Sequence, residues 1–280
     1  MIPERIKEKF GFGVLLAATL VVVIPVLFII WLIISKGWSA LSWNFLFTMP
    51  REGMREGGIF PAIVGTLYLV IVSIAFALPI GVMAAIYLNE YAKDNVLTRT
   101  INLAIVNLAG VSSVVFGLFG LSLFVVFLKF GVSIISGALT LGIMTLPVII
   151  TTTREALRAV PKSYREVSLS LGATRWQTIR HSVLPSAVPG ILTGAILSIG
   201  RVAGETAPIL FTVAAFYLPR LPHSPLDQAM ALPYHLYIVS TQIPNVPENY
   251  RYGTAFVLVG LVLIMNISAV IIRSRFRRKK

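Results

Sequence analysis

Arg201 and Glu205 stand four residues apart, on one helical face, inside a stretch from Ser186 to about Tyr217 that otherwise reads as a membrane span. Charged side chains in such a span usually face a bundle interior or an aqueous path, because lipid solvates them poorly. A guanidinium presents a planar fork of donors that matches the oxygens of an oxyanion. Glu205 would partly neutralise that charge and leave a site weak enough to release what it attracts, as conduction requires. Thr206 follows the pair directly and joins it as a candidate pathway residue. Gly200 and Gly204 flank Arg201 and let a ligand or another backbone approach. Pro208 cannot donate to the Gly204 carbonyl, so the helix is weakened at this point. With the hydrocarbon part running from about Pro189 to Val213, Arg201 falls near the midplane. The residues leave a second reading open, in which the pair simply pins helices together.

A second candidate site lies upstream, from Arg154 to Pro185, and it is polar and basic. Ser163-x-x-Glu166 has the spacing of a capping box, and Tyr164, Val167 and Leu171 follow as one apolar stripe. Gly172 suits the left-handed conformation that ends a helix. Thr174-x-x-Gln177 is a second capping box, Trp176, Ile179 and Val183 mark an apolar face, and Pro185 closes the segment. The pattern predicts a helix–glycine–helix knuckle with an apolar seam and a rim of Arg165, Arg175 and Arg180. Such a knuckle suits docking into a partner's groove. It also suits an amphipathic hairpin lying on lipid headgroups.

The elements that position both sites are membrane spans. Hydrophobic residues make up 56 % of the chain and charged residues only 12 %, too apolar for an ordinary soluble domain. Apolar runs predict six spans: 13–34, about 63–88, 103–128, 134–150, 186–217 and 253–272. The first run lacks a small-residue cleavage pattern and reads as a retained span. Pro79 should kink the second span. Gly117 and Gly120 permit close helix contact in the third. The expected organisation is a cytoplasmic N-terminus over 1–12, a first transmembrane helix over 13–34, a five-helix core over 60–272 containing the loop 154–185, and a basic tail over 273–280. A proline-rich loop, 218–252, precedes the last span and reads equally as a docking surface or a cover.

Seventeen lysines and arginines fall on the side of the termini and the knuckle, and six on the other. Cytoplasmic loops are rich in such residues, so both termini and the knuckle are expected inside. That asymmetry accounts for the net charge of +13 without invoking nucleic acid. There are no cysteines, which excludes disulfides and thiolate metal sites. His181, His223 and His235 are isolated and lack metal-ligand spacing. No G-x-x-x-x-G-K-[ST] occurs, so the chain carries no Walker A loop, and no Ser/His/Asp set points to a hydrolase.

Glu166, Gly172 and Leu184-Pro185 resemble the glutamate, glycine and Leu-Pro anchors of the "EAA" loop of ABC importer permeases. Val167 and Ser168 stand where that loop usually has alanines, and Ser182 where it has isoleucine. Gly200 to Pro208, reading GRVAGETAP, resembles the "GRxxGETAP" stretch of the phosphate-specific, PstA-type branch. Ala85–Tyr91, Ala109–Val111, Phe116–Gly120 and Leu232–His235 are similar to that branch as well, with Ser112 at its usual proline. The resemblance implies an all-α, polytopic fold of the type I importer kind and no enzyme activity of its own. Glu166, Gly172, Leu184 and Pro185, with Arg165 and Trp176 of the same loop, would then engage the ATPase. Arg201, Glu205 and Thr206 would line the pathway, with Pro79, Gly200, Gly204 and Pro208 shaping the helices. The resemblance also implies no cofactor or metal on this chain, with ATP bound by two copies of a PstB-like ATPase. A PstC-like second permease and a PstS-like extracytoplasmic binding protein complete the expected partners, in a bacterial inner membrane. Two alternatives stand beside it: a permease for another oxyanion or small solute, and a non-transport membrane protein with a lipid-binding loop.

Overall fold

The computed structural model describes residues 4–278. Residues 1–3 of the expected N-terminal segment and 279–280 of the expected tail lie outside them. The first helix, α1 (Glu4–Gly37), is longer than the predicted span at both ends. It leads to α2 (Trp43–Phe47), where the Ser42 hydroxyl accepts from the Phe45 N–H at 3.1 Å. A two-residue hairpin follows, β1 (Pro50–Arg51) against β2 (Glu56–Gly57). It turns through Gly53 at φ 64°.

The spans differ from expectation in instructive ways. Helix α3 (Phe60–Ile86) passes unbroken through Pro79 and widens into a π turn over Tyr87–Tyr91. After four residues α4 (Val96–Ala109) starts, with the Asn95 side chain accepting from the Thr98 N–H at 2.8 Å. The third span is not one helix. It comprises α4 and then α5 (Ser113–Gly120), extended by a π turn over Leu121–Phe127, with a 104° bend between the two parts. Helix α6 (Ile134–Arg158) runs eight residues past the predicted end at Ile150, with Pro147 inside it. Among the described residues, five helices are long and apolar enough to cross a membrane, or six if the bent pair counts as one.

The knuckle consists of α7 (Lys162–Ser170) and α8 (Arg175–Thr178). Pro185 does not close it. A π turn over Ile179–Val183 carries the chain straight into α9 (Leu184–Gly204), so Arg175 to Gly204 is one continuous helix. The wider π winding just before Pro185 makes room for its ring and its missing N–H inside the helix. The predicted fifth span instead stops at Gly204, and α10 (Ala207–Thr212) starts afresh. The proline-rich loop contains α11 (Leu232–Thr241), and the last helix, α12 (Glu248–Arg278), starts five residues before the expected Gly253.

Helix α6 lies at the centre, packed against α3, α9, α4, α5 and α10; α9 in turn carries α12, and α12 carries α1. Helices associate in lipid by close packing, which small residues allow. A Cβ on Gly81 would come within 2.6 Å of Ile149, and one on Gly142 within 2.7 Å of Phe76. Gly120 likewise meets Thr140, and Gly117 meets Phe211 and the Ala207–Pro208 backbone, as expected of small residues in that span.

The proline-rich loop is a cover over the helices. Ala229 to His235 are buried, and the Leu232 N–H donates to Thr66 Oγ1 of α3 at 2.8 Å. The loop also satisfies the first N–H groups of α6, which no helix can satisfy internally. Ser133, Ile134 and Ile135 donate to the carbonyls of Thr212, Asp227 and Pro225 at 2.9–3.0 Å. Asp227 accepts from the backbone N–H groups of His223 and Ser224, which holds its carboxyl below the usual range.

Candidate functional site

Two interrupted spans meet a few residues beyond Arg201, where α5 packs on α10. Helix α9 ends at Gly204, Glu205 is extended (φ −74°, ψ 137°), and Pro208 sits in the first turn of α10. The predicted weakening is thus a full break. Two causes combine: Gly204 favours disorder of the helix end, and Pro208 withholds the N–H that would have bonded back to it. Gly117 of α5 lies against Ala207 and Pro208, a few residues beyond the bend at Gly110–Ser112. Non-helical backbone at membrane depth is tolerated only where protein buries it or an aqueous cavity receives it.

Arg201 Nε donates to Glu205 Oε1 at 3.4 Å, and the two side chains are 32 % and 17 % exposed. Among the described residues the guanidinium has no other hydrogen-bond partner, so both Nη groups stay available. Its place in the last turn of α9 is favourable, because helix carbonyls there carry partial negative charge. The pair lies on one chain segment, so it does not tie two helices together. Gly204 faces open space, while Gly200 brings α9 against the Asn266 side chain of α12. Thr206 is half-buried beside the break. The structure therefore brings Arg201, Glu205, Thr206 and Gly204 together at one helix interruption.

The knuckle differs from its sequence reading at its start. Pro161 precedes α7, and no side chain caps that helix. Because Pro161 ends one helix and opens the next, Ser163 falls inside the first turn and the Ser163–Glu166 capping box does not form. Glu166 is exposed, and its side chain has no hydrogen-bond partner among the described residues. The second box does form: Thr174 Oγ1 accepts from the Gln177 N–H and Gln177 accepts from the Thr174 N–H. Gly172 takes φ 85°. The Gly172 N–H then reaches the Leu169 carbonyl and the Ala173 N–H the Ser168 carbonyl, the paired bonds of a Schellman cap.

The apolar residues divide into two sets. Ile179 and Val183 are buried with Ile86, Leu157 and Val160, so they dock the knuckle onto the ends of α3 and α6. Tyr164, Val167 and Leu171 are exposed and line an open groove of about 600 Å³ with His181 and Pro185. Trp176 is exposed, not in the seam, and Leu184 packs against the buried set. Arg165 leaves the rim that Arg175 and Arg180 occupy and turns inward. Its Nε and Nη2 hold both oxygens of Glu90 at 3.1 and 2.7 Å, and Nη2 and Nη1 also donate to the Leu157 and Val160 carbonyls at 2.9 and 3.0 Å.

Sequence reasoning missed Glu90, because nothing near it in the chain announces a partner 75 residues away. It also passed over His235, which is 1 % exposed with both ring nitrogens unpartnered. Burial pushes that imidazole down to about 4.

Residues 77–280 match the family described as "Binding-protein-dependent transport system inner membrane component". The chain belongs to this family. It is 38 % identical, over 95 % of both chains, to the probable ABC transporter permease protein YqgI of Bacillus subtilis. It is 35 % identical to the phosphate transport system permease protein PstA 1 of Mycobacterium tuberculosis, over 99 % of this chain and 92 % of that one. A chain from a bacterial ABC transporter that imports alginate has the same fold, with a TM-score of 0.69 at 15 % identity over 97 % of this chain and 98 % of that one. The protein is therefore a multi-pass inner-membrane permease subunit, and the type I importer fold expected from the sequence is the one observed.

Proposed function

We propose that this permease forms half of the pore of an ATP-driven importer for inorganic phosphate. The observation that carries the reading is Arg201, a guanidinium with both Nη groups unengaged at a helix break, in a chain whose relatives include PstA proteins. A tetrahedral oxyanion with two or three charged oxygens suits that fork. Glu205, 3.4 Å away, keeps the attraction modest enough for release. Thr206 offers a hydroxyl at the same break.

In this reading the chain hydrolyses nothing itself and holds no cofactor or metal. Two copies of a PstB-like ATPase bind ATP, and one takes the groove of Tyr164, Val167 and Leu171, with Glu166 and Trp176 exposed beside it. A PstC-like permease completes the pore and a PstS-like protein delivers phosphate to the outer face. Both termini and the knuckle are cytoplasmic, by the excess of lysine and arginine there. The division into a first span over 13–34, a core over 60–272 and a tail over 273–280 belongs to the same reading.

The test is uptake of radiolabelled phosphate by the assembled complex in vesicles, against sulfate and molybdate. Arg201→Gln keeps length and some hydrogen bonding but removes the charge. Uptake should fall about ten- to a hundredfold, the scale of losing a charged hydrogen-bonded contact, while the complex still assembles. Persistent uptake, or preference for another anion, overturns the assignment.

A further inference from the structure

Helix α7 has no buried residue. Its groove face is exposed, and a hydroxyl contact between Ser168 and Thr178, at 3.0 Å, ties it only to the neighbouring turn. Its attachment to the spans is Arg165. That side chain makes four hydrogen bonds to two other elements: two to Glu90, in the π turn that ends α3, and two to the Leu157 and Val160 carbonyls at the end of α6. Asn89 also donates to Glu90, at 2.9 Å. The Arg165 and Glu90 side chains are 21 % and 11 % exposed, whereas the surface pair Arg99–Asp94 is 73 % and 74 % exposed. A bidentate, largely dry arginine–carboxylate pair fixes geometry as well as adding attraction.

From this we infer that Glu90 and Arg165 are positioning residues forming a rigid strut, through which movement of α7 reaches α3 and α6. The inference rests on the importer reading above. Movement of the knuckle reaches the membrane through the chain itself, because α8 is continuous with α9 and α6 runs into α7 through Ala159–Pro161. Ile179 and Val183 add a packed contact with the ends of α3 and α6. The strut adds a directional link from α7 to the same two helices. It fixes the angle of α7 against them, which a three-residue linker alone would leave free. The geometry also says that the strut is not a latch. Its four bonds include one to the Val160 carbonyl just past a helix end, which would be left without that partner if the pair opened on each cycle.

The experiment uses the whole complex in vesicles and reads phosphate taken up per ATP hydrolysed. Glu90→Gln should leave assembly and binding-protein-stimulated hydrolysis near wild-type levels. Uptake per ATP should fall about tenfold, within the range seen when coupling residues are altered. Unchanged uptake per ATP, or loss of assembly, overturns the strut. A second variant removes the ambiguity of misfolding. The chain has no cysteines, so Glu90→Cys with Arg165→Cys can be joined by a short thiol-specific bridge in a complex whose other subunits lack reactive thiols. Bridging should restore uptake per ATP; arrest of turnover by the bridge overturns the inference. If the wild-type complex takes up no phosphate, the functional assignment fails first and on its own.

Discussion

At the scale of the residue, the chemistry lies in groups whose surroundings leave them one role. His235 is the plainest case. Its ordinary value is 6.5 and burial brings it to about 4. The unfolded chain therefore takes up the proton first, and stability falls as pH drops between those two values. The slope is about 1.4 kcal/mol per pH unit. Between pH 7 and pH 5 the thermal midpoint of the purified protein should drop further for wild type than for His235→Gln, measured in the same detergent. Equal drops would mean that the imidazole is not held neutral. Arg201 was legible from the sequence because a charge in an apolar run is conspicuous. Arg165 was counted with Arg175 and Arg180 because direction is a tertiary property, fixed here by Glu90 and two carbonyls.

At the scale of the element, prolines and glycines were legible as punctuation but not in their effect. Pro185 and Pro208 look alike in the sequence. The first is absorbed where a π turn meets α9, and the second stands just after a break. What differs is the packing around each: Ile179 and Val183 anchor the first region, while Gly204 leaves the second open. The bend at Gly110–Ser112 was hidden because a serine stands there and the apolar run continues across it. Ser163-x-x-Glu166 misled because Pro161 had already set the helix start. Gly172 was read correctly, since its left-handed turn has a residue-level requirement. Proline cannot adopt φ 85°. Gly172→Pro should therefore disorder the knuckle, abolish co-purification with the ATPase and leave the spans protected from hydrogen exchange. Retained co-purification would show that the Schellman turn is dispensable for docking.

At the scale of the whole molecule, hydropathy located the spans, while the depth to which the proline-rich loop is buried escaped it. Ala229 to His235 lie in the core because α3 offers Thr66 and Gly65 to receive them, which no local pattern reveals. Orientation is open to direct measurement in a cysteine-free chain. Ser170→Cys should react with an impermeant maleimide only in inverted vesicles, and Arg220→Cys only in intact cells. Labelling of both from one face would refute the topology. The winding of Ile179–Val183 has a last consequence. A π turn holds one residue more than regular α winding, and each residue of an α-helix sweeps about 100° of azimuth. Deleting a single residue there would restore regular α winding and keep α8 nearly in phase with α9, but it would leave Pro185 inside an unrelieved α-helix, whose continuity should then suffer.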